Sequence, residues 1–247
     1  MSNYFASKKI SFHPFGEQAL LVNFKQEIEE TINQQVIQLD NALQTAKLPA
    51  ITFTIPAYCS LTIGYDSNQL DYETLRIVIS KIIDTSLENT NQMETRQLTI
   101  PVCYDLEYGL DLEEIASEKS ITTKEVIQYH SAPNYKVYLL GFLPGFTFMG
   151  KISKQLSCSR KKEPRLRVPA LSVGIAGDQT GIYPSEVPGG WQILGRTPLP
   201  IFDASKKHPF LFQAGDRVQF YPIFKKEFLA IKKDVQNASF NWQSIYG

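Results

Sequence analysis

The 247-residue chain is short of cysteine, histidine, net charge and long apolar runs. Its three cysteines, Cys59, Cys103 and Cys158, stand far apart with no CxxC spacing and no paired histidine, which argues against a disulfide framework and a structural zinc site. That pattern fits a reduced, cytoplasmic setting. Lys+Arg and Asp+Glu both count 25, so there is neither the basic excess of a generic nucleic-acid or membrane-surface binder nor the acidic excess of a disordered partner. The most apolar stretch, Val137 to Gly150, is broken by Gly141, Pro144 and Gly145, and the first residues lack an apolar signal region. No transmembrane span and no signal peptide are expected. What is abundant is core material: 43% apolar and 12% aromatic residues, enough for one large domain or two small ones.

Two kinds of pattern share the chain. Residues 9–24 read as two strands around a turn at Pro14 to Gly16, and residues 27–47 as a helix with Ile28, Ile32, Val36, Leu39 and Leu43 on one face. Strands at 51–55 and 60–65 and a helix at 71–87 complete a ββαββα order. The polar run 88–96 (ENTNQMETR) reads as a linker, giving domains 1–95 and 96–247. Beyond it, a strand at 98–103 precedes helices at 111–118 and 123–130, the second opened by a Thr122/Glu125 capping box. From Tyr135 onward short apolar runs alternate with Gly/Pro turns and no helix is predicted, which describes a β-barrel. The charge divides at the same place: residues 1–95 hold 6 basic and 11 acidic side chains, and residues 96–247 hold 19 and 14. The second half therefore suits an anionic ligand or an acidic partner surface.

Several motifs are incomplete. Gly145 to Lys151 matches the first seven positions of a P-loop, but Ile152 replaces the hydroxyl residue and bulky aromatics fill the loop. Residues 112–130 have the cadence of a helix-turn-helix, yet Glu113, Glu114, Glu118 and Glu125 outnumber Lys119 and Lys124, so two capped helices packed on a sheet are expected instead. His130, at a predicted helix end, either complements the helix dipole or projects into a pocket as an acid or base. The stretch 164–203 carries twelve Gly or Pro in forty residues, together with Arg165, Arg167, Ser172, Gln179, Thr180, Tyr183, Glu186, Trp191 and Arg196. Such a mixture fits a small ligand with a carboxylate or phosphate, or an interface anchored by the aromatics and arginines. No GxSxG elbow, HExxH or acidic metal box is present.

GFLPGFTFMG, PRLRVPALSVGIAGDQTGIYPSEVPGGW and ILGRTPLPIFD, together with FGEQALLVNF, IPAYCSLTIGYD and AGDRVQFYPI, closely resemble the PxpB/KipI family, also called allophanate hydrolase subunit 1. The resemblance covers nearly the whole chain up to about Lys226. It implies a small α+β N-terminal domain followed by a cyclophilin-like β-barrel. It further implies a subunit of a bacterial ATP-dependent 5-oxoprolinase working with PxpA-like and PxpC-like partners and inactive alone, ATP with magnesium being bound by the complex. A second branch of the family inhibits a sensor histidine kinase. A prolyl isomerase would be suggested only by the shared barrel, and a fold does not carry an activity. The chain departs from the family in two places: Leu171 stands where VPAGSV has glycine, and Phe148-Met149-Gly150-Lys151 where GFxYLGG continues.

Hydrolysing an unstrained lactam asks for an activated carbonyl, a carboxylate clamp and a guided water. On the matching positions, Arg165 or Arg167 is expected to clamp the carboxylate and Gln179 and Thr180 to bond the lactam edge. Glu186 or His130 would handle a proton as catalytic groups, with Ser172, Tyr183, Trp191 and Arg196 completing the binding set.

Overall fold

The computed structural model describes residues 10–88 and 95–247, and the chain divides into two compact units, Met1–Glu94 and Thr95–Gly247. The linker expected at 88–96 lies mostly outside the described residues.

The first unit contains β1 (Ser11–Pro14), β2 (Ala19–Asn23), α1 (Glu30–Ala46), β3 (Ile51–Pro56), β4 (Ser60–Tyr65) and α2 (Tyr72–Glu88). Its strands form an antiparallel sheet in the order β1-β2-β4-β3. Alternation puts Leu20, Val22, Leu61 and Ile63 on one face, against Val36, Leu39 and Leu43 of α1 and Leu75, Ile79 and Ile83 of α2. Helix α1 begins three residues later than the apolar spacing predicts, because Ile28 is exposed and no side chain caps the turn before Glu30. It ends at Lys47, whose left-handed backbone (φ 46°) returns its N–H to the Leu43 carbonyl. Asp71 caps α2, accepting from the Thr74 N–H at 3.0 Å and the Thr74 hydroxyl at 2.6 Å.

The second unit is a closed seven-stranded barrel in the order β10-β7-β6-β13-β5-β12-β9, with β9 pairing back to β10. Its strands are β5 (Gln97–Cys103), β6 (Asn134–Leu140), β7 (Thr147–Gly150), β9 (Ser172–Ala176), β10 (Gln179–Ile182), β12 (Gln192–Arg196) and β13 (Arg217–Ile223). All pairings are antiparallel except β5 with β13. A separate ribbon joins β8 (Arg165–Val168) to β11 (Val187–Gly189). The α+β class with a barrel is thus established, and closure removes the sheet edges that would otherwise invite pairing with another chain.

Helices α3 (Leu112–Lys119) and α4 (Thr123–Ser131) occupy the predicted positions, and α4 carries the expected capping box. Leu112, Ile115, Ala116 and Val126 join the barrel core, so these helices cover a sheet rather than present a recognition face. The P-loop-like stretch is strand β7, hydrogen-bonded on both sides, and offers no phosphate cradle. One expectation fails: α5 (Lys225–Gln236) and a 3₁₀ turn at Trp242–Ile245 follow the last strand. Only Phe228, Ile231 and Val235 of α5 pack inward, a sparse i, i+3, i+7 stripe in a Lys-rich segment, which hides the helical period. No helix among the described residues is long and apolar enough to cross a membrane.

Two glycines in 164–203 serve the barrel by their lack of a side chain. A Cβ on Gly181 would sit 2.6 Å from the Thr147 carbonyl oxygen, and one on Gly195 2.6 Å from that of Cys103. These strands pass too closely for any side chain.

Candidate functional site

The residues singled out in the sequence fall into four environments. The first is the barrel interior. His130 is fully buried at the end of α4 and stacks on Phe220, with ring centroids 4.8 Å apart and planes 12° apart. Thr180 donates its hydroxyl proton to the Gly174 carbonyl at 3.1 Å, so its oxygen accepts from His130 Nε2–H at 2.9 Å. Nδ1 is then the acceptor for the Tyr104 hydroxyl at 2.7 Å. The result is a continuous donor chain from Tyr104 through His130 and Thr180 to Gly174. Tyr135 donates to the His130 carbonyl at 2.7 Å. Burial lowers the His130 pKa to about 3 and raises that of Tyr104 well above its ordinary value. The expectation that His130 works as an acid or base is therefore corrected: both nitrogens are engaged, the ring is neutral, and no solvent reaches it. The same holds for Thr180 as a ligand group, since its hydroxyl is spent inside the barrel. Ser172 is likewise buried on β9.

The second environment is a buried carboxylate on the outside of the barrel wall. Asp111, at the head of α3, accepts from the Ile193 N–H at 2.6 Å, Lys161 Nζ at 2.9 Å and Arg165 Nη2 at 2.5 Å. Burial alone would raise the Asp111 pKa, but the hydrogen bonds from Arg165, Ile193 and Lys161 outweigh it and hold the group below its ordinary value. Lys161 also reaches Glu114 at 2.8 Å. Arg165 Nη2 thus ties β8 to α3, and its Nη1, buried without a hydrogen-bond partner, is the part of the guanidinium left for the expected carboxylate clamp. Asp111 and Lys161 escaped the sequence reading because their partners lie about fifty or more positions away, where no local pattern signals a pair.

Third comes the ribbon. Arg167 is 83% exposed and faces Glu186, itself 55% exposed, at 3.8 Å. Beneath it Tyr183 and Trp191 pack edge-on against Phe146, with centroids 4.9 and 5.4 Å apart, and both aromatics are buried in one core cluster. Gln179 opens β10, half-buried, opposite Gly150. The fourth is a turn held by Arg196, whose Nε donates to the Ala170 carbonyl at 2.7 Å. Leu171 lies in that turn at φ 66°, the left-handed conformation that glycine adopts without cost, and its carbonyl accepts from the Thr197 N–H at 3.0 Å. Of the ten candidates, Arg167 and Glu186 are the two that are exposed.

A concavity appears elsewhere on the same unit. A cavity of about 310 Å³ is lined by Arg96, Lys206, His208, Phe210, Trp242 and Tyr246, among others. Of these, Arg96 is paired with the buried Asp216, and its Nη2 also donates to the Leu211 carbonyl at 3.2 Å. Trp242 and Tyr246 come from the tail beyond the last strand. The sequence holds a weak pointer to them, two large aromatics in an otherwise polar C-terminal stretch (NWQSIYG).

Comparison with known proteins places this architecture. The pattern for the carboxyltransferase domain, subdomains C and D, matches residues 10–212. A 5-oxoprolinase subunit of Bacillus subtilis is 39% identical over 229 residues, covering 89% of this chain and 95% of that protein. Its namesake from Escherichia coli O157:H7 is 34% identical, covering 84% and 93%. The crystal structure of TTHA0988 superposes with a TM-score of 0.75 at 36% identity, covering 83% of this chain and 40% of that one.

Proposed function

Because the chain belongs to the carboxyltransferase-domain family of subdomains C and D, and within it to the PxpB/KipI group, we propose that it is a subunit of an ATP-dependent 5-oxoprolinase. The complex would convert 5-oxo-L-proline, ATP and water to L-glutamate, ADP and phosphate in the cytoplasm. The observation that carries this reading is the near end-to-end match to the 5-oxoprolinase subunit of Bacillus subtilis, over 95% of that protein's length.

The lactam is an unstrained amide, and phosphorylation of its oxygen by ATP would make the ring carbon electrophilic enough for water. ATP with its magnesium belongs to the assembled complex with PxpA-like and PxpC-like partners. The geometry of this chain supports a dependent subunit: His130 is sealed in the barrel, and the exposed Arg167–Glu186 pair stands on the two-stranded ribbon outside it. Both members of that pair are available to a substrate held partly by another subunit.

Reconstitution tests this reading. Mixing the purified chain with its PxpA-like and PxpC-like counterparts should give 5-oxoproline-dependent ADP formation and glutamate release, and leaving the chain out should abolish both. A complete mixture that forms no ADP in response to 5-oxoproline overturns it.

A further inference from the structure

We propose that the cavity between the 200–211 loop and the C-terminal tail is a binding site for a small ring-bearing carboxylate. Its walls are built for the two halves of such a ligand. Arg96, Lys206 and His208 line it together with Asp203; Arg96 is paired with the buried Asp216, and Lys206 lies 3.8 Å from Asp203. Asp203 is turned to its own loop, Oδ1 accepting from the Ser205 N–H at 3.0 Å and the Ser205 hydroxyl at 2.6 Å. Arg96 spends Nε and Nη2 on Asp216 and Leu211, which fixes the guanidinium and leaves Nη1 outside those bonds. An arginine already held in place loses little freedom when it meets a carboxylate.

Lys206 is similarly placed, its ammonium 5.1 Å from the Trp242 ring centroid and 3.8 Å from Asp203. The remaining surface is flat and apolar: Phe210, Trp242 and Tyr246, with Pro200 and Pro209. Flat walls favour a planar ring over an extended chain, and about 310 Å³ holds a small ring compound with some water. The loop is secured by backbone bonds from Asp203 N–H to Pro209 (2.8 Å) and Leu211 N–H to Ile201 (3.0 Å), so the site is largely preformed.

The class of ligand follows from the lining, whereas the particular member, 5-oxo-L-proline, rests on the function proposed above. Titrating the full chain with 5-oxo-L-proline should change Trp242 fluorescence saturably, and L-glutamate, which has the carboxylate but no ring, should bind more weakly. The double substitution Lys206→Ala/His208→Ala removes two exposed side chains. It should leave the thermal midpoint in place and weaken 5-oxo-L-proline binding about tenfold or more. In the reconstituted complex the same variant should raise KM for 5-oxo-L-proline by a comparable factor. Absence of saturable binding by the wild-type chain, equal affinity for L-glutamate, or wild-type affinity in the variant overturns the assignment. An active complex whose KM ignores the variant removes the cavity and keeps the 5-oxoprolinase reading. A complex without activity removes the 5-oxoprolinase reading, while the single-chain titration still decides the cavity.

Discussion

Arg165 and Arg167 are two residues apart on one short strand and identical in chemistry, yet they live in different worlds. Arg165 is tucked onto Asp111, a carboxylate whose side chain is wholly buried; Arg167 is 83% exposed beside a loosely held Glu186. Regular alternation would send neighbours of that spacing to the same side, but the β8–β11 register shifts between Arg165 and Val168, three steps on β8 opposing two on β11, so the alternation is interrupted here. What separates them is the presence of α3 and the Lys161 loop over one and of solvent over the other. On this barrel the environment, rather than the residue type, decides whether a polar group holds the fold or remains free for a ligand.

The sharpest way to break that contrast is to remove the buried partner. Asp111→Ala leaves Arg165 and the Ile193 N–H without their acceptor, while Lys161 keeps Glu114. It should cost about 3–5 kcal/mol in denaturant unfolding, the usual penalty for half of a buried pair. A loss below about 1 kcal/mol would mean the strut is not structural.

The interior His130 gives an intermediate effect through pH. Its folded pKa of about 3 lies below the ordinary 6.5, so between those values the unfolded chain binds a proton that the folded chain refuses. Stability from this group is therefore complete above about pH 6.5 and falls as the pH drops, at up to about 1.4 kcal/mol per pH unit. At pH 5 the loss is about 2 kcal/mol, and His130→Gln should flatten that part of the stability curve. An unchanged slope in the variant would show that other groups set it.

The smallest stability effect belongs to the exposed arm of the comparison. Arg167→Ala should alter stability by under about 0.5 kcal/mol, because a solvated ion pair contributes little. Any larger consequence should appear instead in activity of the reconstituted complex. A marked drop in thermal midpoint would contradict the exposed placement.

Much of the fold is legible along the chain. The ββαββα order follows from apolar periods of two and of three to four, and the Thr122–Glu125 box marks the start of α4. The unusual Leu171 falls where the family pattern has glycine, and its φ of 66° explains the pattern. The candidate site is less legible. His130, Thr180, Tyr183 and Trp191 carry ligand-like groups, but the first two are buried in the barrel interior and the last two in the cluster beneath the ribbon. Conversely, Arg96, Lys206 and Trp242 lie scattered over nearly 150 positions and meet only because β5 leads away from the cavity while the tail folds back beside it.

Composition, period and spacing by themselves determined the α+β class, the change of pattern near residue 95 and the family, since each is written in neighbouring residues or in long contiguous motifs. Only the tertiary structure decided which polar groups are spent and which are available. Burial and hydrogen-bond partnership depend on what another part of the chain places over a side chain. For His130 that is Tyr104 and Thr180, for Arg165 it is Asp111, and over Arg167 there is water.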